Sequence, residues 1–351
     1  MGLLEDTIGH IKPADREAEE QARARERTLT KPPGSLGRLE DLAVRIAGIM
    51  GNPTPSIEEG VVFVMAADHG VASSGVSAYP MEVTRQMVMN FLSGGAAINA
   101  LAEYSDMRVA VTDCGVAAMF PPHPGLRNRK IRAGTDDISR GPAMTKGEAR
   151  RSVEIGIEVF AEEWSASLFD VAVTGEMGIG NTTPSSAIVS AYSGVSPRLI
   201  TGRGTGVNDA ALERKIAIVQ AALSVNKPDP KDALDVLSKV GGFEIGAMAG
   251  TMLAAASRGI PVMIDGFISS AAAMIARGLC PFSVEYMIAG HRSVEPGQKV
   301  ALEILGLQPI LDLGMRLGEG TGAALAAMIC RAACKAHAGM STFEEAGVSS
   351  S

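Results

Sequence analysis

Six short apolar runs in this chain each end in glycine beside an acid or a histidine. They are VVFVMAADHG (61–70), RVAVTDCG (108–115), FDVAVTGEMG (169–178), PVMIDG (261–266), YMIAGH (286–291) and PILDLGMRLGEG (309–320). Runs that are apolar without alternation suit strands covered on both faces. Helical patterns separate them, among them 146–164, 207–224, 244–257, 293–305 and 321–337. That alternation predicts βαβ units and an α/β fold with a mainly parallel sheet flanked by helices. In such sheets ligands bind beyond the carboxyl ends of the strands, where these polar residues fall. Any one βα turn uses Gly and Asp merely to turn; six together point to a shared site. The pattern does not separate an open sheet from a barrel and leaves the strand order open.

The first sixty residues differ. ADREAEEQARARERTL (14–29) is a charged helical stretch, read as a solvated face. KPPGSLGRLEDLAVRIAGIM (31–50) sets a Pro-Gly turn before an amphipathic helix, with Leu36, Leu39, Leu42, Ile46 and Ile49 at helical spacing. No strand is visible there. Composition then excludes whole classes. A net charge of −7 without a basic block argues against nucleic acid. Residues 1–27 lack the pattern of a secretory signal, and the apolar stretch 250–280 is broken by Arg258, Asp265 and Arg277. Cys114, Cys280, Cys330 and Cys334 form no CxxC pair or disulfide framework. The expectation is a cytoplasmic protein with free thiols and no membrane contact.

Four stretches carry candidate chemistry. GEMGIGNTTPSS (175–186) is a glycine-rich turn entering a helix, where amide N–H groups and the helix dipole favour a phosphate. Asn181, Thr182 and Thr183 add donors, and Glu176 adds a carboxylate. It lacks the GK[ST] of a Walker loop, and a simple capped turn is the competing reading. TGRGTGVNDA (201–210) is a second such turn, with Arg203 and Lys215 as cations or merely solvated side chains. GMRLGEGTGAALA (314–326) places Glu319 between glycines at a helix start. The dipole there favours the ionised form, while partial burial restores basicity; a bland helix-capping acid is the alternative. SAYPMEVTRQMVMNFLSGGAAINAL (77–101) is methionine-rich, suited to a flat aromatic ligand or simply to a core. Asp68, His69 and His291 could in principle bind a metal, but there is no HxH or HExxH spacing and there are only five histidines, so no catalytic metal is expected.

Taken in order, AADHGV (66–71), the 77–99 stretch, TGEMGIGNTT (174–183), TGRGTG (201–206), GGFEIGAMAG (241–250), DGFISSAAA (265–273) and LDLGMRLGEGTGAAL (311–325) closely resemble the nicotinate-nucleotide–dimethylbenzimidazole phosphoribosyltransferase family, with KPPGSLGRLE (31–40) fitting its N-terminal motif. The resemblance implies a Rossmann-like large domain over 60–320 and a small helical domain built from 1–59 and 321–351. It also implies a homodimer without a bound cofactor. The implied reaction transfers phosphoribose from nicotinate mononucleotide to dimethylbenzimidazole, in lower-ligand assembly for cobalamin. On this resemblance Glu319 is the general base and Glu176 lies near the ribose. Gly178, Ile179, Gly180, Asn181 and Thr182, with Gly204, Thr205, Gly206 and Lys215, hold the nucleotide. Ser77, Tyr79, Met81, Gln86 and Leu317 shape the dimethylbenzimidazole pocket. Two other readings are weighed against it: a nucleotide-binding regulator that consumes nothing, and a metal-dependent hydrolase on Asp68, His69 and His291.

Overall fold

The computed structural model describes residues 2–349. Residue 1 and residues 350–351, the outer ends of the two terminal segments expected above, lie outside the described residues. Six strands form one sheet: β1 (Gly60–Ala67), β2 (Met107–Gly115), β3 (Leu126–Asn128), β4 (Val171–Met177), β5 (Val262–Ile264) and β6 (Met287–Ala289). The order is β3-β2-β1-β4-β5-β6 and every pairing is parallel. The sheet is therefore open, with the doubly wound order.

Five of the six apolar runs are strands. The sixth, 309–320, is not: beside β6 it forms an isolated bridge between Leu311 and His291 and a bond from the Ile310 amide to the Ala289 carbonyl, without becoming a strand. Gly314, Gly318 and Gly320 take positive φ, which an extended strand does not allow. The remaining strand, Leu126–Asn128, is short, polar and paired on one side only, so it carries no apolar signature.

Helices cover both faces. Phe63 of β1 stacks on Phe160 of helix Lys146–Ala166, with centroids 5.5 Å apart. That helix packs against helix Phe243–Ala256 so closely that a Cβ on Gly156 would lie 1.9 Å from the Ala247 carbonyl, and one on Gly250 1.9 Å from that of Val153. Val62, on the other side of β1, faces Gly320 at the head of helix Thr321–Gly339. This helix lies against β4 and β5 and also against helices Arg38–Met50 and Ala97–Tyr104. Among the described residues no helix is long and apolar enough to cross a membrane.

The two ends of the chain are joined by buried polar contacts. His337 and Glu26 meet at 2.6 Å, and Lys31 Nζ lies 2.9 Å from Glu26 and 2.8 Å from Glu40. Arg25 donates to the carbonyls of His337, Ala338 and Met340, closing the C-terminal end of the long helix. We propose that the segments 1–59 and 321–351 work as one small helical unit beside 60–320. One apolar core nevertheless runs from Leu4 through the sheet to Cys334, and helix Leu3–Gly9 packs on the helices over 146–166 and 243–256. Leu36, expected in the amphipathic helix, precedes its start at Arg38 and is exposed.

Burial works against the Lys31 charge, yet Glu40 and Glu26 together hold its pKa above the ordinary lysine value. Replacing it leaves the buried Glu26 and the partly exposed Glu40 carboxylates without their shared cation. Lys31→Met is expected to lower stability by about 3 kcal/mol, seen as an earlier denaturant midpoint; an unchanged midpoint would show that the network contributes nothing.

Candidate active site

Because every strand is parallel, their carboxyl ends meet at one edge. β1 delivers Asp68 and His69, β4 Glu176 and Met177, β5 Asp265, and β6 Gly290 and His291. Between β1 and β4 the strand order reverses, and a crevice opens there. It holds a cavity of about 510 Å³, walled by the segments around 76–87, 176–182, 204–205, 265–269, 291–295 and 316–319.

One end of the cavity is a backbone cradle. Glu176 to Thr182 turns into helix Thr182–Ser193, with Gly180 at φ +90°. Asn181 does not cap the helix with its side chain; its Nδ2 donates to Glu176 Oε2 at 2.5 Å. The Ile179 amide is engaged by Thr84 Oγ1 at 3.1 Å. Lys215 stands behind this wall rather than on it. Its buried Nζ donates to Thr182 Oγ1 at 2.6 Å and to the Gly202 carbonyl at 3.2 Å. Burial lowers its pKa to about 8, opposed by the Glu295 carboxylate. Glu295 itself accepts from the Gly204 amide at 2.9 Å.

The opposite wall is the Gly318–Gly320 turn. Gly318, Glu319 and Gly320 are all left-handed, with φ of 91°, 63° and 95°. For Glu319 this conformation costs on the order of 1 kcal/mol. Neighbouring backbone holds it: a Cβ on Gly175 would lie 2.3 Å from the Glu319 carbonyl, and one on Gly318 2.3 Å from Glu176 Oε1. The end of β4 carrying Glu176 and the turn carrying Glu319 are therefore in contact. Glu319 does not cap its own helix. The acid that accepts from that helix is Asp265, at 2.9 Å from the Ala323 amide, whereas Glu319 Oε2 accepts from Ile98 N at 3.2 Å.

Burial dominates the electrostatics here. It raises the Glu176 pKa from 4.5 to about 8; Glu244, Asp265 and Glu319 add to the rise and the Asn181 bond opposes it. Burial also raises Glu319, with Asp265 adding and the Ile98 amide opposing. Asp265 is raised by burial despite His291 and the amides of Ala323, Gly322 and Gly320. The dipole effect expected at Glu319 is thus outweighed. A carboxylate so raised is a stronger base when ionised and a proton donor when not.

At the mouth Ser77 Oγ meets Thr205 Oγ1 at 3.1 Å, and Thr205 Oγ1 accepts from Ala78 N at 2.9 Å. Arg316 Nη1 donates to the Gly204 carbonyl at 3.1 Å. Tyr79 and Leu317, 56% and 58% exposed, present apolar surface to this opening.

Of the expected site residues, Glu319, Glu176, Gly178, Ile179, Gly180, Asn181, Thr182, Gly204, Thr205, Ser77, Tyr79 and Leu317 share this one cavity. Gly206, Met81 and Gln86 do not line it, and Lys215 is set behind it. Val83 and Met87, four residues apart on one helix face, line the wall instead; Gln86 is exposed on another face. Asp265, His291, Ser293, Glu295 and Arg316 also line the cavity without having been assigned to it. The strand-end pattern was the signal for Asp265 and His291. His69 lies behind Gly178, its Nε2 2.7 Å from Glu244 Oε1. Burial disfavours its charge, but Glu244 outweighs this and raises its pKa. No cluster of three or more His, Cys, Asp or Glu suited to a metal ion is found among the described residues.

A phosphoribosyltransferase family model matches residues 11–348. Relatives from Chloroflexus aggregans and Geobacter metallireducens are 57% and 52% identical to this chain, covering 99% of it and 99% and 98% of themselves. Both are named nicotinate-nucleotide–dimethylbenzimidazole phosphoribosyltransferase. A crystal structure of the enzyme of that name from Thermus thermophilus has a TM-score of 0.91 at 45% identity, over 96% of this chain and 100% of that one.

The raised Glu176 pKa ties stability to pH. The folded chain keeps a proton that the unfolded chain has released above pH 4.5, so this contribution is present at low pH and is lost as pH rises toward about 8. Glu176→Gln is expected to flatten that fall, measured as denaturant midpoints at several pH values without ligand. An equal pH dependence in both proteins would refute it.

Proposed function

Because the chain belongs to the nicotinate-nucleotide–dimethylbenzimidazole phosphoribosyltransferase family and is an enzyme of that class, we propose that it transfers phosphoribose from nicotinate mononucleotide to 5,6-dimethylbenzimidazole. The products are α-ribazole 5′-phosphate and nicotinate, in the lower-ligand branch of cobalamin synthesis. The observation that carries the mechanism is the juxtaposition of Glu176 and Glu319, buried carboxyl groups on a strand end and a turn in contact, in a cavity whose far end is an amide cradle.

In this reading the cradle around Gly178 and Gly180 takes the nucleotide phosphate, with Asn181, Thr182 and the Gly204–Gly206 loop beside it. Lys215 acts through Thr182, which it orients while adding positive charge from behind. Dimethylbenzimidazole stacks between the exposed apolar surfaces of Tyr79 and Leu317. One ring nitrogen attacks C1′ as Glu319 takes the proton from the other. The C1′–pyridinium bond breaks, its electron pair returns to the ring, and nicotinate departs neutral at nitrogen. No proton and no metal are needed for that departure. A single displacement inverts C1′ from β to α. Positive charge builds on the ribose as in glycoside cleavage, and Glu176 stabilises it once ionised. The cationic pyridinium arriving beside Glu176 favours that ionisation. The same reading takes the protein as a cytoplasmic homodimer without cofactor, membrane or nucleic-acid partner.

The deciding assay supplies nicotinate mononucleotide with a panel of benzimidazoles and related bases, following nicotinate release and the anomeric proton of the product by NMR. Base-dependent release and an α product are expected. A nucleotide that binds but is not consumed would mean a regulator, and a β product would rule out a single displacement.

Glu319→Gln tests the base. Its kcat is expected to fall by about 10²- to 10⁴-fold with circular dichroism unchanged. Near-normal turnover would remove Glu319 from this role.

A further inference from the structure

We propose that His291 selects the acidic ring of the donor nucleotide, giving an imidazole N–H to the ring carboxylate of nicotinate; this rests on the donor identity proposed above. His291 follows β6, is 1% exposed and lines the cavity. Among the described residues neither of its ring nitrogens has a hydrogen-bond partner. Buried polar atoms are nearly always paired, so a buried imidazole on a cavity wall with both nitrogens free points to a ligand.

The ring is held rather than loose. It occupies space that a side chain on Gly322 would fill: a Cβ there would lie 2.0 Å from Cδ2. Asp265 Oδ1 lies 3.5 Å from Nε2, beyond a good hydrogen bond, and already accepts from the Ala323 amide. Asp265 therefore lies beside the imidazole without making a hydrogen bond to it.

Charge decides what such a donor is for. Glu176, Asp265, Glu295 and Glu319 all line this cavity, and a bound anion meets their repulsion. Lys215 is committed to Thr182 and Gly202 at the cradle end. Arg316 is bound to the Gly204 carbonyl at the mouth. Beside Asp265 the side chain with unpaired ring nitrogens is His291. A carboxylate on the pyridine ring seated there gains a charge-assisted bond that a carboxamide does not.

The test compares nicotinate with nicotinamide as competitive inhibitors, and the two mononucleotides by kcat/KM, in the wild type, His291→Ala and His291→Gln. In His291→Ala, nicotinate and its mononucleotide are expected to weaken by about 10- to 100-fold while the nicotinamide pair changes only slightly. The loss falls on KM more than on kcat, and His291→Gln, which keeps an amide donor, recovers part of it. Equal losses for acid and amide, or a preference retained in both variants, would overturn the proposal. Should His291→Ala fail to fold, the glutamine variant decides by the same ratio. Wild-type protein that binds nicotinate over nicotinamide but transfers nothing would sink the proposed reaction while leaving the role of His291 to be read from the inhibitor ratio.

Discussion

Several carboxyl groups buried around one cavity are the constraint to which the rest of this structure answers. Parallel strands contribute to it: β4 and β5 end at the same edge and bring Glu176 and Asp265 to the cavity, where the turn before helix Thr321–Gly339 adds Glu319. Left ionised together, Glu176, Asp265 and Glu319 would repel across a dry space. The structure answers with a different partner for each. Glu176 has Asn181, Asp265 has the amides at the head of helix Thr321–Gly339, and Glu319 has the Ile98 amide. These donors do not cancel the burial, since all three groups keep raised pKa values. The free protein thus holds a site that resists negative charge.

The same crowding explains the backbone. Glu319 sits in a conformation that few side chains adopt, between two left-handed glycines. Those glycines are demanded by space as well as by φ. Gly318 makes room for Glu176 Oε1, and Gly320 passes close to Val62 and the Thr174 carbonyl. A helix packed on β4 and β5 and on two further helices fixes the turn from behind. The strain is therefore carried by a rigid scaffold, which keeps the two glutamates at a set separation.

Much of this was legible in the sequence, for identifiable reasons. Continuous apolar runs marked β1, β2, β4, β5 and β6, because strands buried on both faces need them. β3 escaped because an edge strand of Leu126, Arg127 and Asn128 buries little. The run 309–320 imitated a strand because it is apolar, but its glycines serve a turn. Glu176 and Glu319 stood out through their glycine neighbours, which mark close backbone approach. Gln86 was expected in the pocket from the family resemblance, yet facing is set by helix phase, and the phase favours Val83 and Met87. Lys215 was readable as a cation near the cradle, but not as one held a layer behind it. Glu295 and Arg316 gave no signal, because they reach the Gly204 loop from distant parts of the chain and only the tertiary fold brings them there.

The acid cluster and the proposed donor fit one another through charge. A pyridinium nucleotide carries its positive charge at the ring nitrogen, beside the sugar carbon that reacts. Groups that resist ionisation in the free protein give up protons more readily when that cation arrives. Unfavourable electrostatics in the empty site become favourable in the complex, and more so as positive charge spreads onto the ribose. Once the bond to nitrogen breaks, the ring has lost its cation. The cluster then confronts a neutral pyridine bearing a carboxylate, whose attraction to the site is reduced to the contact made by that carboxylate. On the proposed reaction, a cavity lined this way attracts the cationic ring of the donor more than the neutral ring it releases, so the electrostatics that favour transfer also loosen the departing ring.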